Sequence, residues 1–169
     1  LSIQFVYPDY PLLPNDREAI DSTDHIKIKP AKVVDDADVV IFNSITEAKG
    51  FVDYTIDDVS YVIRTKRCEL FAETDDIMPL LRKLRRLNLV ITDVVDFTDN
   101  DFKRYSKMLQ TLSNNIEALY VEGSTIQVNI LTDRMMLNKM NNCGAGDTSI
   151  TLAPNGKFYV CPAFYVVNE

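Results

Sequence analysis

The spacing of apolar residues changes period along the chain, and each change predicts an element. Ser2 to Tyr7 (SIQFVY) reads as a short strand, ended by Pro8, Pro11 and Pro14, which cannot donate ladder hydrogen bonds. Asn15 is placed to cap a short helix running to about Ser22. From His25 to Lys29, Ile26 and Ile28 alternate with polar neighbours, as in a half-exposed strand. Asp38 to Asn43 (DVVIFN) is an apolar run suited to a central strand covered on both faces. Residues 44–58 are acidic and weakly patterned, which predicts a short helix and a loop.

The second half is more regular. Tyr61 to Thr65 predicts a strand. Asp75 or Asp76 then caps a helix to about Arg86, with Leu80, Leu81 and Leu84 inward. Pro79 fits only a first turn, which favours Asp76 as the cap. Leu87 to Val94 (LNLVITDV) is the strongest strand pattern in the chain. Thr98 and Asp101 have capping-box spacing, and Phe102, Tyr105, Leu109 and Leu112 recur at helical intervals. Asn115 to Glu122 predicts a further short helix stopped by Gly123, and Ile126 to Leu131 a strand.

Strands alternating with helices imply βαβ units and a mainly parallel α/β sheet with right-handed crossovers, as in a partial, degenerate TIM-like barrel. The C-terminal segment differs. Thr148 to Ala153 and Lys157 to Cys161 flank Pro154-Asn155-Gly156, and Asn-Gly is a strong hairpin signal. A boundary between an α/β body and this hairpin is expected near Asn138 to Asn142, giving residues 1–140 and 141–169.

Composition narrows the classes. The 169 residues are 46% hydrophobic and 25% charged, which fits one globular domain with a substantial core. No apolar run is long enough to cross a membrane. A net charge of −7 argues against a nucleic-acid partner, which calls for a dense basic footprint. Arg82, Lys83, Arg85 and Arg86 do cluster, but in the expected last turn of a helix, where cations offset the helix dipole. Three cysteines do not make a secreted disulfide scaffold. The chain opens on Leu1 and closes on Val-Val-Asn-Glu, so both ends read as cuts in a longer protein.

The candidate chemistry centres on Cys143 and Cys161, at the two ends of the predicted hairpin. A hairpin brings residues distant in sequence together at its open end, as paired thiolate ligands require. Gly144 and Gly146 would let backbone amides approach bound sulfur or metal. Two cysteines do not complete a four-ligand site, and two buried thiols or a disulfide remain open alternatives. Cys68, between Arg67 and Glu69, reads as a structural thiol. His25, the single histidine, reads as a surface or capping residue. Asp93 and Asp96 follow the strongest strand, and Asp133 and Arg134 follow the next. Those are positions where α/β proteins place sites and also helix caps. Met135, Met136, Leu137 and Met140 read as core, with a peptide-binding groove as the alternative.

The spacing Cys143…Gly156…Cys161 resembles the opening of a SPASM domain, the auxiliary iron–sulfur module of many radical SAM peptide-modifying enzymes. Ser2-Ile-Gln-Phe-Val-Tyr-Pro-Asp-Tyr10, Val128 to Arg134 and Ile150 to Tyr165 resemble one group more closely, the CXXX repeat peptide maturases. The resemblance spans most of the chain, and its last block is the specific one. It implies a bacterial, cytoplasmic protein whose partner is a ribosomally made peptide with cysteine at every fourth position. Cys143 and Cys161 would then be part of an iron–sulfur ligand set completed by cysteines beyond Glu169. The chain departs from the family in one respect: radical SAM chemistry needs a CxxxCxxC loop, and none is present. The resemblance therefore implies peptide recognition and cluster support without catalysis by this chain. Its rivals are a metal-free peptide- or protein-binding module and a zinc-ribbon-like site.

Overall fold

The computed structural model describes residues 3–52, 54, 59–132, 150–153 and 155–160. Six strands pair in the order in which they occur: β1 (Gln4–Val6), β2 (Ile26–Pro30), β3 (Val39–Phe42), β4 (Ser60–Thr65), β5 (Arg86–Ile91) and β6 (Gln127–Val128). All five pairings are parallel. A doubly wound sheet would reverse its order at a switch point. This one does not, and its sequential order is the one that β/α barrels share. Among the described residues the α-helices are α1 (Pro14–Asp21), α2 (Ile45–Gly50), α3 (Arg67–Ala72), α4 (Thr74–Leu81) and α5 (Asp99–Val121).

Right-handed crossovers between sequential parallel strands put every helix on the same side of the sheet. Burial follows. Val40, Phe42, Tyr61, Ile63, Leu87, Leu89 and Val128 share one face and are at most 3% exposed. They are matched across the strands, with Val40 opposite Tyr61 and Ile63 opposite Leu89. Ile45, Leu70, Ile77, Leu81, Leu112 and Ile116 from α2 to α5 close over them in one core. On the opposite face Val39, Ile41 and Val62 are only half-buried, and Val90 is 41% exposed. The sequence pattern had β3 covered on both faces. It is fully covered on one.

The first βαβ unit contributes nothing to that core. Among the described residues before Val40, none is buried. Helix α1 has only Ala19 and Ile20 to offer a neighbour, and neither is buried. It begins at Pro14, whose fixed φ suits a first helical position, and Leu13 precedes it without a side-chain cap. Asn15 therefore lies inside the helix rather than capping it.

Other differences have local causes. The helix expected from Asp75 or Asp76 to about Arg86 is α4, which starts at Thr74 and ends at Leu81, and α3 precedes it, with Glu73 between them, where no helix was expected. Pro79 lies inside α4, beyond the first turn. The helix ends at Leu81, so Lys83, Arg85 and Arg86 lie past its last turn. Helix α5 is continuous for 23 residues where two helices were expected. Its buried stripe is Met108, Leu112, Ile116 and Leu119, while Phe102 is half out in solvent. It stops at Gly123, which has φ +92.

Strand β6 is cut to two residues by side chains that take over the ladder. The Asn129 amide replaces the next pair of backbone bonds, accepting from Leu89 N–H at 2.8 Å and donating to Leu89 C=O at 3.0 Å. On the outer edge, Thr132 Oγ accepts from Val128 N–H at 2.7 Å and donates to Val128 C=O at 3.2 Å. Those groups are where a seventh strand would pair.

The chain divides into two units, Leu1–Asp133 and Arg134–Glu169. The second holds an antiparallel hairpin of β7 (Thr151–Leu152) and β8 (Phe158–Tyr159). Gly156 takes φ +75 in its turn, and Asn155 Oδ1 accepts from Lys157 N–H at 3.0 Å.

Truncating the core should separate core from surface on the same helix. Leu112→Ala removes a side chain that is 1% exposed and should lower urea-unfolding stability by about 2–5 kcal/mol. Val121→Ala, at a position 86% exposed, should stay within about 0.5 kcal/mol of the parent chain.

Candidate functional site

In sheets of this order, the loops after the carboxyl ends of the strands carry the sites. Here that edge is braced by carboxylates. Glu47 accepts from Asn43 N–H at 2.7 Å while Ser44 caps α2 by accepting from Glu47 N–H. Glu69 reaches back from α3, accepting from Ile45 N–H at 2.8 Å and from Thr65 Oγ at 2.6 Å. The start of α2 and the end of β4 are thus joined through one carboxylate.

Asp93 accepts from Arg67 N–H at 2.9 Å, the first amide of α3. The Arg67 guanidinium lies 3.6 Å from Asp93 and 3.7 Å from Asp101. Asp101 completes the expected capping box with Thr98. Hydrogen bonds from the Thr98 amide and then its hydroxyl hold the Asp101 carboxyl below its ordinary pKa. Asp93 is thereby the cap of α3 across the loop, the second of its two sequence-level readings. Asp96 is exposed, in a 3-10 turn spanning Val94–Asp96.

Between these braces lies a recess of about 320 Å³, lined by Asn43, Arg64, Lys66, Cys68, Glu69 and Thr92. The Cys68 thiol is exposed at its rim. A structural thiol was expected. The alternation of β4 carries past Thr65 because Lys66 keeps an extended backbone, so the next residues turn outward as α3 begins.

A larger cleft of about 820 Å³ lies beside β1 and β2, where α1 leaves the helix layer unfilled. Tyr7, Pro8, Tyr10 and Pro11 form one wall and His25, Lys27 and Lys29 another. The Tyr7 hydroxyl lies 2.8 Å from His25 Nε2, and His25 Nδ1 lies 2.6 Å from the Thr23 carbonyl oxygen. A carbonyl can only accept, so Nδ1 carries the proton and Nε2 accepts from the tyrosine. Burial raises the Tyr7 pKa, which keeps that hydroxyl a donor. The Lys29 ammonium stands 5.0 Å from the Tyr7 ring centroid and donates to the Asp35 carbonyl, and Lys27 pairs with Asp36. His25 is therefore a fully bonded wall residue. The signal for this cleft in the sequence was the poverty of apolar residues in α1.

Cys143, Cys161, Asp133, Arg134 and the Met135–Met140 run lie outside the described residues. Among the described residues no group of three His, Cys, Asp or Glu side chains could hold a metal ion. The donor set of the whole chain, three cysteines with none closely spaced, does not fit a complete iron–sulfur site. Of the basic cluster, Arg82 pairs with Glu122 at 2.6 Å and Arg86 donates to Gln127. No helix among the described residues is long and apolar enough to cross a membrane.

The capping box makes a pH prediction. Because the Asp101 carboxyl is held below its ordinary pKa, its stabilisation is complete above that ordinary value and is lost as pH falls through the lowered one. The melting temperature should therefore fall less between about pH 4 and pH 2 in Asp101→Asn than in the parent chain. Equal acid sensitivity in the two proteins would contradict the assignment. The chain matches no protein-family model, no curated protein and no solved structure.

Proposed function

We propose that this chain is the peptide-recognition part of a bacterial, cytoplasmic protein that matures a ribosomally made peptide with repeated cysteines. In this reading the α/β unit holds an extended stretch of the peptide in the cleft beside β1 and β2. One observation carries it. The cleft of about 820 Å³ is walled by Tyr7, Pro8 and Tyr10, from the same Ser2–Tyr10 block on which the family resemblance rests.

Tyrosine and proline walls suit peptides because they offer large, stiff contact surfaces at little entropic cost. The cleft's lysines are already engaged by Asp36 and the Asp35 carbonyl, so the tyrosine and proline wall offers apolar contact beside the carboxylates of Asp9 and Asp24. Strand β1 also ends the sheet. Tyr7 N–H bonds to Ile28 and Ile3 C=O accepts from Ile26, so Gln4 and Val6 turn their backbone groups outward. An extended peptide can pair along such an edge. Cys143 and Cys161 would belong to an auxiliary iron–sulfur site whose other ligands come from outside this sequence.

A fluorescein-labelled peptide of four Cys-x-x-x repeats, titrated under reducing conditions and read by anisotropy, tests the reading. Saturable binding is expected, weakened roughly tenfold by Tyr10→Ala, the loss of one aromatic anchor. Absence of binding, or binding indifferent to Tyr10→Ala, would overturn it.

A further inference from the structure

We propose that the carboxyl edge of the sheet carries a carboxylate-binding subsite, made by Arg64 and Lys66 of the β4 end with Asn43 after β3. Its ligand is an acidic group of a peptide lying on the face of the sheet opposite the helices. The peptide as ligand rests on the function proposed above; the chemistry of the subsite does not.

The register builds the subsite. Phe42 pairs with Ile63 and Thr65 with Ile91. The next residues therefore place Asn43 beside Arg64, and Lys66 beside Thr92, all on the face opposite the core. Arg64 and Lys66 are two apart on one extended strand, so their side chains leave the same face roughly 7 Å apart and converge on one small group. All four residues line the 320 Å³ recess.

These two cations stand side by side in one recess without an ion-pair partner among the described residues. Lys27, Lys49, Arg67 and Arg82 all face carboxylates. Among the described residues the side chains of Arg64 and Lys66 make no hydrogen bond or ion pair, and both residues are exposed. Two unpaired cations side by side repel each other, on a chain whose net charge is −7. An incoming anion relieves that repulsion. The guanidinium, ammonium and Asn43 amide donors are more than enough to saturate the roughly four lone-pair sites of one carboxylate. Thr92 Oγ is already committed to the Thr65 carbonyl at 3.3 Å.

Two features favour a carboxylate over a phosphate. Glu69 lines the same recess with its own carboxylate, and a dianion would meet twice the repulsion there. The flank is also apolar: Val62 precedes Arg64 by two residues on the same face, Ile41 opposes Val62, and Val90 opposes Arg64. These half-exposed side chains suit an apolar residue close to the acid in a peptide.

The test uses three labelled pentapeptides of one apolar frame: an internal Glu with an amidated end, the same peptide with Gln, and the Gln peptide with a free C-terminal carboxylate. The whole chain is titrated at low salt. Either carboxylate peptide should bind at least tenfold more tightly than the amidated Gln peptide, and which one does so identifies the source of the acid. Arg64→Gln and Lys66→Gln should each remove roughly tenfold of that preference, the loss of a charge-assisted contact, while Lys66→Arg keeps it. Bound acidic peptide should also slow iodoacetamide alkylation of Cys68 at the rim, followed by peptide mapping. Equal binding of all three peptides, or a preference untouched by both Gln substitutions, would overturn the subsite. Tyr10→Ala should leave this preference unchanged, so the subsite and the Cys-repeat reading fail independently.

Discussion

Everything in the larger unit depends on the packing between one face of β3–β6 and the helices laid over it. Sequential parallel strands with right-handed crossovers send all helices to the same side, so one layer of contacts must supply the core. Tyr61, Ile63, Leu87 and Leu89 supply its sheet half, and Leu112, Ile116 and Leu119 of α5 much of its helix half. Among the described residues, the opposite face presents half-buried valine and isoleucine and, at the carboxyl edge, charged residues. The proposed carboxylate subsite lies on that second face.

The weak packing of the first βαβ unit follows from its sequence. Helix α1 reads Pro-Asn-Asp-Arg-Glu-Ala-Ile-Asp, too polar to seal itself against β1 and β2. The space is held by polar pairings instead: Tyr7 with His25, Lys27 with Asp36, and Lys29 over the tyrosine ring. A cleft of peptide size results beside the open edge of the sheet. The proposed function thus rests on a deficit of apolar residues as much as on any motif.

The architecture was legible in the sequence because its signals are local and strong. The β5 pattern, the Thr98–Asp101 capping box and Gly123 each mark an element that forms close to its expected place. Two features had no local signal. Strand β6 stops at Val128 because the Asn129 and Thr132 side chains occupy its ladder positions, a tertiary arrangement that β-propensity does not encode. The carboxyl-edge recess depends on register between three strands, and in the sequence Asn43, Arg64, Lys66 and Thr92 are scattered over fifty positions. Cys68 reads only as a structural thiol in the sequence, and the turn from β4 into α3 places it at the surface. The cysteine pair that dominates the sequence reading, Cys143 and Cys161, belongs to the second unit, so the α/β body is understood without it.

The central claim is that the core is built by β3–β6 with α2–α5, and that β1, α1 and β2 are appended to it. Native-state hydrogen exchange tests this directly, because it reports the opening free energy of each amide. Amides of β4, β5 and the middle of α5 should exchange only through global unfolding, with free energies equal to that from urea denaturation. Amides of β1, α1 and β2 should open at distinctly lower free energy, as one sub-global unit. If Phe5, Tyr7 and Ile28 instead shared the global value of Ile63 and Leu89, the first βαβ unit would be part of the core and the account would be wrong.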